Sequence, residues 1–83
     1  MTIRLWAENF YLEKGMLPET AKAALEFAIG HTVLAQMEGR WEENVLGTPP
    51  HRLILLEKCL KLAAIEYIDK NLPNAWFREM FTG

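Results

Sequence analysis

Gly47-Thr48-Pro49-Pro50 constrains what this chain can fold into more than any other stretch. A glycine and two consecutive prolines stop a preceding helix, because proline lacks the N–H that would continue the hydrogen-bond ladder. The same residues start a new one. Thr48 is placed as a cap and Pro49 as the first helical residue, where a missing N–H leaves nothing unbonded. After Pro50 neither Gly nor Pro occurs until Pro73. Glu57 and Lys61, and Glu66 and Lys70, set an acid four residues ahead of a base, the favourable order on a helix. The pattern predicts a long helix over 49–70.

Similar punctuation divides the rest. Thr2 can cap a helix over about 2–14 that ends at Lys14-Gly15, a basic residue followed by the usual C-terminal glycine. Pro18-Glu19 opens another, and Ala21, Ala23, Ala24, Ala28 and Ala35 give it high helix propensity. It is expected to reach about Glu38, fraying near Gly39 or running on to Asn44, with Lys22–Glu26 and Arg40–Glu43 at helical spacing. Leu72-Pro73-Asn74 turns the chain, and Asn74 can cap a short helix over about 74–81. No segment alternates with period two. The expected fold is therefore all-α, one domain over 1–83. An antiparallel hairpin of helices at 18–38 and 49–70 would be covered by the shorter helices at 2–14 and 74–81.

On a helical wheel Leu53, Leu56, Leu60, Ala63, Ala64 and Tyr67 form one stripe of the 49–70 helix, an ordinary core face. Leu55 and Leu62 lie opposite, with Ile54 and Ile65 beside them. A helix apolar on both sides is central to its fold or to an interface. In the 18–38 segment, Ala21, Ala24, Ala28, Ala35 and Leu25 share a face that permits close helix approach. Ala23, Phe27, Leu34 and Trp41 make a second face. Trp76, Phe77, Met80 and Phe81 crowd the last turns. Each large apolar side chain is worth about 1.5–3 kcal/mol when fully buried, so these residues must cover the hairpin or enter a partner.

Composition removes whole classes of function. The chain has 83 residues and one cysteine, so no disulfide can staple it internally. Small folds then lean on a metal or a partner. His31, His51 and Cys59 lack the paired spacing of a metal site, so no metal and no cofactor is expected. A net charge of −2 gives no general attraction to nucleic acid or to anionic membrane. No signal-like or membrane-spanning run is present, and the expected compartment is the cytoplasm.

The candidate sites are few. His31 reads as a core histidine with a hydrogen-bonded ring, since no second catalytic group stands at a useful spacing. Cys59 reads as a small buried hydrophobe. Thr48, His51 and Arg52 form a possible anion site at a helix start, although the two prolines remove backbone donors such a site uses. The run Glu13-Lys14-Gly15-Met16-Leu17-Pro18 locally resembles a stretch of MerR-type DNA-binding domains, where a helix ends in a similar run. The likeness is confined to residues 9–18, and Lys-Gly ahead of Pro is common helix punctuation.

No catalytic set emerges, and the chain is not expected to be an enzyme. The expected function is a small helical interaction module, an inhibitor, regulator or small subunit acting on a larger protein. Self-association, most simply as a dimer, is expected with it. Its interface residues would be Ile54, Leu55, Leu62, Ile65, Trp41, Trp76, Phe77, Met80 and Phe81, the aromatic and aliphatic types that dominate interface centres. A helical oligomer binding a small nucleotide-like anion between subunits is the alternative. A nucleic-acid-associated regulator is a more distant one.

Overall fold

A computed structural model describes residues 1–82. Three α-helices carry it: α1 (Ile3–Glu13), α2 (Pro18–Ile29) and α3 (Pro50–Asn71). Short 3₁₀ turns occupy Thr32–Met37, Val45–Gly47 and Trp76–Phe81. Among the described residues there is no strand, only an isolated bridge between Thr2 and Asn44. The fold is all-α.

Local signals set both ends of α1. Thr2 Oγ1 accepts the Leu5 N–H at 3.1 Å, and Gly15 ends the helix at φ +103°, a conformation that favours glycine. Gly15 also admits a neighbour. A Cβ there would stand 2.6 Å from the outer edge of the Trp76 indole.

The second expected helix divides. It stops at Ile29 instead of reaching Glu38. Gly30 weakens the helix by about 1 kcal/mol relative to alanine, and His31 turns extended at φ −79°, ψ 139°. The His31 ring then caps the next turn, its Nδ1 accepting the Val33 N–H at 3.3 Å. The change of direction carries Leu34 into the core, 1% exposed.

A second break at Gly39, φ +78°, sends residues 40–48 back across the start of α1. The first N–H groups of a helix have no partner within it. Here Ile3 and Arg4 donate to the Glu43 and Trp41 carbonyls, both at 2.9 Å, and Val45 donates to the Met1 carbonyl at 2.9 Å. Trp41 anchors this loop, only 5% exposed.

α3 begins one residue later than expected. Pro49 stands at the cap with no side-chain bond, and the Thr48 hydroxyl donates to the Asn44 carbonyl at 3.4 Å instead. The buried face of α3 is Leu56, Cys59, Leu60, Ala63, Ala64 and Ile68. Leu53 and Tyr67, expected in that stripe, are half-buried at its margin. Fully buried Ala21, Ala24 and Ala28 let α2 lie close against its neighbours. The end of α2 meets the second half of α3, where Phe27 packs on Tyr67 at 5.7 Å.

The C-terminal segment is a 3₁₀ turn rather than an α-helix. It starts after Ala75 with no side-chain cap, so Asn74 does not cap it. Phe81 meets Phe10 and Tyr11 edge-on, at 6.4 and 5.7 Å. Arg78 holds Asp69 through two hydrogen bonds, at 2.6 and 3.3 Å.

Candidate interaction surface

Two short helices cover one side of α3 and leave the other in solvent. Ile54, Leu55 and Leu62 are 57%, 52% and 58% exposed, and Ile65 is partly packed against the core. Residues three, four and seven apart share a helix face, so these four make one apolar stripe over about three turns. Lys58 and Lys61 stand within it.

The remaining expected interface residues separate into two groups. Trp41, Phe77 and Phe81 are buried in the chain's own core, where they hold the 40–48 loop and the C-terminal turn. Trp76 and Met80 remain exposed, at 69% and 46%. Trp76 is nonetheless seated, with one edge over Gly15 and a T-shaped contact to Phe77 at 5.9 Å. The C-terminal turn therefore folds back onto α1 and the end of α3, and Leu55 and Leu62 stay uncovered.

Depressions flank the stripe. A cleft of about 300 Å³ opens between Ile3, Met37, Arg40, Thr48, Arg52 and Leu56. A second of about 390 Å³ adjoins it and adds Leu34, His51, Leu55 and Cys59. Arg40 and Arg52 line both. Thr48 lines the first and His51 the second, so the three residues of the expected anion site do not share one cleft. An open groove of about 540 Å³ runs at the other end, among Lys58, Lys61, Leu62, Ile65 and Phe81. Met37 and Leu34 reach the clefts only because the chain breaks at Gly30 and Gly39. Those two glycines were the available signal.

The ion pairs sort the cations. Glu66 pairs with Lys70 at 3.2 Å and Arg40 with Glu43 at 4.0 Å, as their spacing suggests. Glu26 is taken by Arg4, which also holds Glu42, and Glu57 forms no pair with Lys61. The side-chain bond to Glu42 is the main reason the Arg4 guanidinium holds its proton more tightly than usual.

His31 is committed on both nitrogens. Nδ1 accepts from Val33, which places the ring proton on Nε2, facing Glu66 Oε2 at 2.5 Å. That bond, followed by the one from Lys70, lowers the Glu66 pKa. The ring is occupied as a cap and a clasp between α3 and the turn after α2. Cys59 is buried at the floor of the second cleft. No helix of the described residues is long and apolar enough to cross a membrane.

No family model, curated protein or solved structure matches this chain.

Proposed function

We propose that this chain is a small non-enzymatic interaction module, a regulator, inhibitor or small subunit that acts on a larger protein in the cytoplasm. The observation that carries the proposal is the solvent face of α3. Three aliphatic side chains, Ile54, Leu55 and Leu62, each stand more than half exposed on the longest helix, while the core closes without them. Covering the exposed half of each would release roughly 1 kcal/mol per side chain. Flanking clefts and a groove give a partner concavities in which to seat anchors.

The test is capture with a paired control. Leu55→Asp/Leu62→Asp changes the face and leaves the core untouched, and circular dichroism verifies the fold. A partner held by the wild-type chain and lost from the double variant supports the reading. Identical capture by both removes it.

A second reading has its own observation. Arg52 lines both adjoining clefts together with Arg40, whose charge is shared with Glu43 in the first, and Leu56 and Met37 give both an apolar side. That arrangement suits a small anion with an apolar body, the alternative to a protein partner. Stabilisation against heating by nucleotides, with loss in Arg40→Ala/Arg52→Ala, is its expected signature.

A further inference from the structure

Among the described residues, three cations along or beside the α3 stripe have no carboxylate within ion-pair distance, with one free carboxylate, Glu57, at its margin. The chain has nine lysines and arginines. Arg4, Arg40, Lys70 and Arg78 are engaged by carboxylates, and Lys14 lies 5.4 Å over the Phe10 ring. Among the described residues this leaves Lys22, Arg52, Lys58 and Lys61. Three of those four are on α3, along or beside the exposed aliphatics. The chain as a whole is acidic, at −2, so the cluster is not the overflow of a basic composition.

Each of the three cations sits next to an apolar anchor. Lys58 is one turn from both Ile54 and Leu62. Lys61 shares the open groove with Leu62, Ile65 and Phe81. Arg52 lines the second cleft beside Leu55. Lys58 and Lys61 therefore stand within the apolar stripe, and Arg52 borders its N-terminal end beside Leu55.

We propose that the occupant of this face is an acidic amphipathic helix of a partner protein. Its apolar side lies on Ile54, Leu55 and Leu62, and its carboxylates meet Arg52, Lys58 and Lys61. The proposal rests on the interaction reading above and names the chemistry of the partner. From Ile54 to Ile65 the stripe runs roughly 16 Å at 1.5 Å per residue, which matches a helix of about three turns.

A second copy of the chain fits this face less well. Antiparallel pairing that sets Ile54 against Ile65 also sets Lys58 against Lys61, and two-fold symmetry makes that clash occur twice. Nucleic acid would neutralise the lysines but offers its backbone nothing to match Leu55 and Leu62.

The test uses the intact chain and two synthetic helical peptides of about four turns with the same leucine face. One is flanked by glutamates, the other by lysines. The glutamate peptide is expected to bind, with amide shift changes confined to residues 51–65 and the groove around Phe81. Its affinity falls as salt is raised, because the charge pairs lie at an exposed rim. Lys58→Glu/Lys61→Glu is expected to weaken it roughly tenfold and to strengthen the lysine peptide.

Equal affinity for the two peptides, or indifference to the charge reversal, overturns the acidic partner. A concentration-dependent dimer that buries this face in the absence of peptide also overturns it. So does a single-stranded oligonucleotide that binds there more tightly than the glutamate peptide. The two readings fail separately. A cellular partner retained by Lys58→Glu/Lys61→Glu but lost by Leu55→Asp/Leu62→Asp removes the acidic helix and leaves the interaction module standing.

Discussion

Tyr11→Phe probes how α1 is joined to α3. Tyr11 is fully buried, and its hydroxyl donates to the Leu60 carbonyl at 2.8 Å. Leu60 lies mid-way along α3, so that carbonyl also takes the regular helical bond from four residues on and stays satisfied when the hydroxyl is deleted. The ring remains against Phe10 and Phe81 in the variant. The loss is then one net hydrogen bond, about 1 kcal/mol, or roughly 4–8 °C of melting temperature for a domain of this size.

The same hydroxyl makes stability depend on pH. Burial pushes the Tyr11 pKa well above its ordinary value of 10. Between the unfolded and the folded pKa the unfolded chain has lost the proton and the native chain still holds it. The stabilisation is therefore complete below about pH 10 and declines above it, by up to about 1.4 kcal/mol per pH unit. Tyr67→Phe leaves Tyr11 as the sole tyrosine, so tyrosinate absorbance reads it alone while circular dichroism follows the helices. Ionisation is expected together with unfolding, and Tyr11→Phe is expected to flatten the alkaline loss of stability. An unchanged melting temperature in Tyr11→Phe would refute the reasoning. So would tyrosinate forming at about pH 10 with the helices intact.

Three further substitutions test other joints. Gly15→Ala imposes a side chain at φ +103° and displaces the Trp76 edge. A loss of roughly 1–2 kcal/mol is expected, with a shift in tryptophan emission, and a variant as stable as the parent contradicts it. His31→Ala removes the cap of the Thr32–Met37 turn and should cost about 1 kcal/mol in chemical denaturation, whereas His31→Asn, which keeps a capping acceptor, should recover most of it. Leu62→Gln should change stability by less than about 0.5 kcal/mol and Leu60→Ala by about 2–5 kcal/mol. Equal costs at 60 and 62 would mean that the α3 stripe belongs to the core.

The legible parts of the fold are those governed by neighbours in sequence. Thr2 and Gly15 bound α1 through local bonds and backbone conformation, and a run free of Gly and Pro yields α3. The sequence pattern extends α2 to residue 38 because alanine propensity masks Gly30, and because histidine is not among the usual capping residues. What ends α2 is a ring nitrogen bonded two residues on, in a ring also held by Glu66, far away in sequence. The interface residues divide the same way. Ile54, Leu55, Leu62 and Ile65 follow from helical period alone. Separating buried Trp41, Phe77 and Phe81 from exposed Trp76 and Met80 requires knowing where the 40–48 loop and the C-terminal turn land, and short aperiodic segments carry no face to read.

The exposed face of α3 follows from helix lengths. α3 has 22 residues, while α1 and α2 have 11 and 12. Two short helices and two six-residue turns close a core on one side of α3 and leave Ile54, Leu55 and Leu62 uncovered on the other. A bare side on α3 does not by itself call for apolar residues. Glutamine or lysine at 54, 55 and 62 would satisfy the same helix, keep the same core and reduce the tendency to aggregate. Aliphatic residues placed there instead, with lysines in their midst, contribute nothing to the closed core. On the proposal of an acidic partner helix, their role is to meet a second surface of opposite charge, and Leu62→Gln should then weaken binding while leaving the fold intact.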